Sequence, residues 1–102
     1  MTLSELAQKL NELGYPVAYS HFKKAQKLPF ICYLVVEGET ITADDTIYEE
    51  ILNVDIELYS DKDFEAENKI KNMLKENELP YSYDEIYIKD EEVFKSTFSI
   101  QI

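Results

Sequence analysis

From Leu52 on, the stretch Ile51-Leu52-Asn53-Val54-Asp55-Ile56-Glu57-Leu58-Tyr59 alternates apolar and polar. Successive side chains of a strand point to opposite faces. Leu52, Val54, Ile56 and Leu58 therefore face one way, and Asn53, Asp55, Glu57 and Tyr59 the other. This predicts a strand with one face on a core. Ser60 and Asp61, directly after it, are residues that cap helices. Ala66, Ile70, Met73 and Leu74 then recur at helical spacing, while Lys69, Lys71 and Lys75 stay outside that stripe. A helix to about Asn77 is expected. A one-faced strand and a one-faced helix must cover each other, and that points to a layered α+β domain.

Working toward the N-terminus, Phe30-Ile31-Cys32-Tyr33-Leu34-Val35-Val36 is the longest apolar run. It is apolar in both alternate sets and predicts a central strand covered on both faces. Glu37-Gly38-Glu39 is expected to turn it, and Thr40 to Glu50 is expected to be an acidic loop or a hairpin arm. Before the run lies a basic link, Lys23 to Pro29, and before that a short strand, Val17 to Phe22. Leu3, Leu6, Ala7, Leu10 and Leu13 make one helical stripe. Thr2 and Glu5 match a capping box, Gly14 stands where a helix closes, and Pro16 forbids continuation.

Toward the C-terminus, Tyr81 to Lys89 and Val93 to Ile102 read as two strands around an Asp90-Glu91 turn. Phe94, Phe98, Ile100 and Ile102 share a face of the second. The predicted order is α-β-β-β-α-β-β. The expected architecture is a single domain over 1–102, an antiparallel sheet with two helices packed on one face. The other face is left to water or a partner.

Composition excludes several functions. The chain has 102 residues, ten Lys, no Arg and twenty-one Asp plus Glu, for a net charge of −11. Binding along a phosphate backbone depends on Lys and Arg, so specific nucleic-acid recognition is not expected. Charge is also uneven. Residues 1–30 hold four Lys and two acids, net +2, and the remainder holds six Lys and nineteen acids, net −13. No apolar run approaches the ~18 residues of a membrane helix. The N-terminus lacks the charged and apolar regions of a signal peptide. One cysteine excludes an internal disulfide and suits a reducing compartment.

Residues able to do chemistry are sparse. His21 and Cys32 are the sole imidazole and thiol. A Cys–His dyad needs adjacency and an orienting group, whereas a cysteine in so apolar a strand reads as a buried hydrophobe. One Cys and one His disfavour zinc. Asp44-Asp45, Asp61 with Asp63, and Asp90-Glu91-Glu92 are acidic clusters without the alternating pattern of a calcium loop. The two glycines stand apart at 14 and 38, so no phosphate loop exists. No catalytic residue, metal or cofactor is expected. Lys23, Lys24 and Lys27 form the one basic cluster, and eight Tyr with no Trp is a skewed aromatic set suited to interfaces.

The pattern as a whole resembles a known family. An amphipathic helix leads into Gly14-Tyr15-Pro16-Val17-Ala18-Tyr19-Ser20-His21-Phe22, a basic link, and Leu28-Pro29-Phe30-Ile31-Cys32-Tyr33. A long acidic loop leads to the strand Val54-Asp55-Ile56-Glu57-Leu58-Tyr59, and a helix carrying Phe64-Glu65-Ala66-Glu67, then Leu79-Pro80-Tyr81 and a closing hairpin follow. This is similar to the small tail-completion, or tail-terminator, proteins of long-tailed phages and prophages. The resemblance implies an α+β subunit of a hexameric ring at the head-proximal end of the tail. It implies contacts with the tail tube protein and with the head-completion connector. It implies a place in the virion, after assembly in the bacterial cytoplasm, and no enzymatic activity. Interface candidates come from the residues themselves: Lys23, Lys24 and Lys27 of the basic link, Asp44 and Asp45 of the acidic loop, and Tyr48. The competing expectation is an acidic adaptor or a DNA-mimic inhibitor. Lys69, Lys71 and Lys75 interrupt any negative stripe on the second helix.

Overall fold

The computed structural model describes residues 1–62 and 64–102. Its elements run α1 (Leu3–Asn11), β1 (Val17–Tyr19), β2 (Phe30–Ala43), β3 (Thr46–Ser60), α2 (Phe64–Glu76), β4 (Tyr81–Ile88) and β5 (Val93–Gln101). They form one five-stranded sheet in the order β1-β2-β3-β5-β4. The order of elements is the expected one, and the fold is α+β.

The sheet is mixed rather than antiparallel, because β1 pairs with β2 in parallel, Val17 opposite Ile31 and Tyr19 opposite Tyr33. The link between them does not make a hairpin. It carries the chain back along β1 so that β2 starts beside it and runs the same way, as a parallel pair requires. β1 is also shorter than expected. Ser20 has φ 67°, which breaks the extended run before His21 and Phe22.

Register shows which side chains share a face. Ile31, Tyr33 and Val35 of β2 lie opposite Leu58, Ile56 and Val54 of β3, and these lie opposite Ser96, Phe98 and Ile100 of β5. Leu6 and Leu10 of α1, and Ala66, Ile70, Met73 and Leu74 of α2, close over the same face in one core cluster. Both helices therefore pack on one side. α1 keeps its expected cap, since Thr2 Oγ1 accepts the Glu5 N–H at 3.1 Å. Beyond its end, Gly14 has φ +95°, a conformation that a side chain would resist.

α2 starts at Phe64, so Ser60 and Asp61 are not its caps. Ser60 ends β3, and its hydroxyl accepts the Lys62 N–H at 3.2 Å. Asp63, counted above in an acidic cluster, lies outside the described residues.

The largest departure is the middle of the chain. No turn occurs at 37–39. β2 continues to Ala43, and Gly38 is paired with Leu52. A Cβ on Gly38 would stand 3.3 Å from Leu52 Cδ2, so the missing side chain is the room that Leu52 uses. The true turn is Asp44-Asp45, with φ of 53° and 61°. Positive φ at both central residues is the hairpin turn that matches strand twist, and Asp tolerates it better than most residues. β2 is also second from the sheet edge rather than central.

Phe98 is fully buried in the core cluster, opposite Ile56 of β3 and with the Tyr81 and Tyr83 rings of β4 edge-on to it. Phe98→Ala should cost about 3–5 kcal/mol through lost burial and an unfilled cavity. Chemical denaturation should show this as a lower midpoint with an unchanged slope.

Candidate assembly surface

The β2–β3 hairpin has two halves. Its inner half is sheet: β5 covers the far edge of β3 from Asn53 to Ser60, and β1 covers β2 from Ile31 to Tyr33. Past that, Val35 N–H donates to the Tyr19 hydroxyl at 3.1 Å, and the Leu52 and Ile102 backbones bond each other. Beyond these closures, among the described residues, the ribbon of residues 37–51 has no neighbour on either edge. At about 3.3 Å per residue it projects some 20 Å. The molecule is accordingly 51 Å long and only 28 by 22 Å across.

All six charges of this arm are acidic: Glu37, Glu39, Asp44, Asp45, Glu49 and Glu50. It also exposes apolar side chains. Two register shifts explain the most prominent. Val35 opposes Val54 and Glu37 opposes Asn53, which leaves Val36 as an extra residue. Ile41 opposes Glu49 and Thr42 opposes Ile47, which leaves Tyr48 as another. Such bulges re-aim a side chain. Tyr48 is 77% exposed, more than any other large apolar residue of the described chain, and Ile47 is 68% exposed.

At the opposite end of β2, the link 20–29 folds onto the helix-free face of the sheet. Phe22 meets Phe30 edge-on at 5.4 Å, and Phe30 stacks on its cross-strand partner Tyr59 at 4.9 Å. With Cys32 these rings line a cavity of about 280 Å³, rimmed by Ser20, His21, Lys23 and Lys24. Burial, and after it the nearby Glu57 carboxylate, push the Cys32 thiol up from its ordinary value. It stays a neutral thiol here, and His21 is turned toward Ser20, its Nδ1 lying 3.2 Å from Ser20 Oγ.

The rest of that open face satisfies itself. Ser99 donates to Asp55 at 2.7 Å, Gln101 donates to Asn53 at 3.2 Å, and Lys95 pairs with Glu57 at 3.5 Å. These cross-strand rungs keep the face wettable.

The predicted interface residues thus fall in two places. Lys23, Lys24 and Lys27 are exposed on the link, and Asp44, Asp45 and Tyr48 are exposed at the arm tip. Within one chain the structure does not bring them together. Tyr59 lies in the aromatic floor beside the link, whereas Tyr81, Tyr83 and Tyr87 lie on the edge strand β4.

Sequence reasoning missed one polar cluster, built around a buried carboxylate. Lys62 Nζ bonds Glu67 at 3.3 Å and also Glu85, and the Tyr83 hydroxyl donates to Glu67. Glu67 is 4% exposed on the inner side of α2. Burial by itself would push its carboxyl up, but bonds from Tyr83 and Lys62 outweigh burial and hold it below the ordinary value. Burial would likewise lower Lys62, and the Glu85 and Glu67 carboxylates outweigh it and raise it. The cluster clasps edge strand β4 to α2. Its sequence signal is weak, since Glu67 looks like a favourable acid in a first helical turn.

No helix among the described residues is long and apolar enough to cross a membrane. No group of three or more metal-ligating side chains assembles among them. No family model matches this chain, and no curated protein matches it.

The clasp has a pH signature. A carboxyl held low in the folded state stabilises above its unfolded pKa, and that contribution is lost as pH falls through the folded value. Glu67→Gln should cost about 1–3 kcal/mol at pH 7. In denaturation series the gap from the wild type should close as the medium is taken below about pH 4.

Proposed function

We propose that this chain is a structural assembly protein that works by self-association. In this reading it is a tail-terminator subunit that closes into a hexameric ring, ends the tail tube and joins it to the head connector. One observation carries the assembly reading: a two-stranded arm projects from a packed domain with both edges open and apolar residues exposed at its tip. Open strand edges invite pairing, and apolar side chains exposed at a projecting tip suit a partner's surface. The phage setting rests on the sequence resemblance, together with the α+β order that a member of that family would have. Cys32 held as a neutral thiol, with His21 engaged by Ser20, agrees with a non-enzymatic role.

A ring subunit needs two different patches, because its contacts are head-to-tail. The arm and the basic link supply unlike charges at opposite ends of one long hairpin. The remaining charge opposes assembly, since like subunits repel. That repulsion is long-ranged and the arm–link attraction is close, so self-association should strengthen as salt rises from about 0.01 M to about 0.1 M, where the screening length falls from about 30 Å to about 10 Å.

Light scattering after size exclusion, over a salt and concentration series, checks this. A discrete species near six subunits is expected. Replacing residues 37–51 with an Asn-Gly turn should leave a folded monomer that tail tubes no longer capture. A wild-type monomer that ignores tubes, yet binds a nuclease in a salt-sensitive way, would instead establish a DNA mimic.

A further inference from the structure

The cavity under the basic link is small. At about 280 Å³ it lies below the range usual for sites that hold metabolites or drug-sized ligands. Its floor is aromatic, from Phe22, Phe30 and Tyr59, and its rim carries Lys23 and Lys24. An apolar floor with a cationic rim suits one large side chain flanked by carboxylates.

The arm tip is a segment of that description. Tyr48 and Ile47 project from it, and Asp44, Asp45 and Glu49 flank them. A subunit's own arm cannot reach its own cavity. The cavity lies where β2 begins, the tip lies where β2 ends, and fourteen residues of strand separate them, about 45 Å. The two charge sets also lack partners at home. Among the described residues every salt bridge uses Lys62, Lys69 or Lys95, and none uses an arm acid or a link lysine.

We propose that the arm tip of a second copy docks in this cavity, with Tyr48 on the Phe22–Phe30–Tyr59 floor and Asp44 and Asp45 on Lys23, Lys24 and Lys27. The inference deepens the assembly reading and rests on it for ring closure alone. The acidic turn 89–92 lies at the same end of the sheet, and Glu91 is close enough to act on Tyr59. Its charge turns an acidic arm away from that side and toward the lysines, so like-charge repulsion sets the direction of approach. The contact joins unlike surfaces, so repetition gives either a ring or an open filament.

A charge exchange tests it. One variant carries Lys23→Glu, Lys24→Glu and Lys27→Glu, and a second carries Asp44→Lys and Asp45→Lys. Each alone juxtaposes like charges at every contact and should run as a folded monomer. Mixed in equal parts they restore opposite charges at every contact, and the wild-type mass should return. Tyr48→Ser in the wild type should weaken association about tenfold. Two folded variants that stay monomeric when mixed would overturn the docking. So would a wild-type oligomer that none of these changes disturbs, although the ring reading would survive that result. Filaments dissolved by the exchange and restored by mixing would support the docking and remove the ring. Should a variant fail to fold, carbodiimide cross-linking of isotope-mixed wild type decides. Links between chains joining 44 or 45 to 23, 24 or 27 are expected, and links elsewhere only, or none, overturn the inference.

Discussion

The buried face of β3 is the support for everything else in the molecule. Val54, Ile56 and Leu58 are fully buried, with β2 on one flank, β5 on the other and both helices above. A face in which each side chain touches core on every side tolerates no slip, because moving the register by one residue would bring Asp55 and Glu57 inside. That constraint fixes how β2 and β5 lie. It also fixes where the hairpin leaves the body. Past Leu52 neither β5 nor β1 extends far enough to accompany it, and so the same two strands that build the core become a free arm.

The arm is stable enough to project because its inner half is anchored. Nucleation is supplied by the core, and each further rung adds to a ladder already begun. Its tip closes through two aspartates at positive φ, and its edges are left to solvent. Exposed edges are commonly protected by charge and by bulges. This arm has both, with six acids and an extra residue at Val36 and at Tyr48. Those devices discourage promiscuous pairing while leaving the Tyr48 ring exposed. The clasp at Lys62, Glu67, Tyr83 and Glu85 does the opposite for β4. It ties an exposed edge strand to the body, so the two long edges of the molecule are treated differently.

Much of the fold was legible in the chain because it follows from local pattern. The alternation at 52–59 reports a one-sided strand, the stripe at Leu3, Leu6 and Leu10 reports a helix, and Gly14 with Pro16 reports its end. The candidate surface was legible only as composition. Lys23, Lys24 and Lys27 stand out as a basic run and Asp44-Asp45 as an acidic one, but neither run states where it lies in space. Gly38 misled for a physical reason. Glycine marks turns when positive φ is needed, yet here it serves a close approach by Leu52 within a strand. Asp-Asp is a weaker hairpin signal than Asn-Gly, although the β-branched residues on both sides, Thr40 to Thr42 and Thr46 to Ile47, agree with it.

By itself the sequence determined the elements, their order, the core-facing side of β3 and the surplus of acid. These depend on periodicity and composition, which a single chain carries openly. The tertiary structure alone decided the parallel pairing of β1, the extent of the arm, the bulge at Tyr48, the cavity over Phe30 and the burial of Glu67. Each of these depends on which residues meet across long separations. Phe30 meets Tyr59, Gly38 meets Leu52 and Glu67 meets Tyr83 because the sheet and α2 bring them together, and no local pattern encodes such meetings.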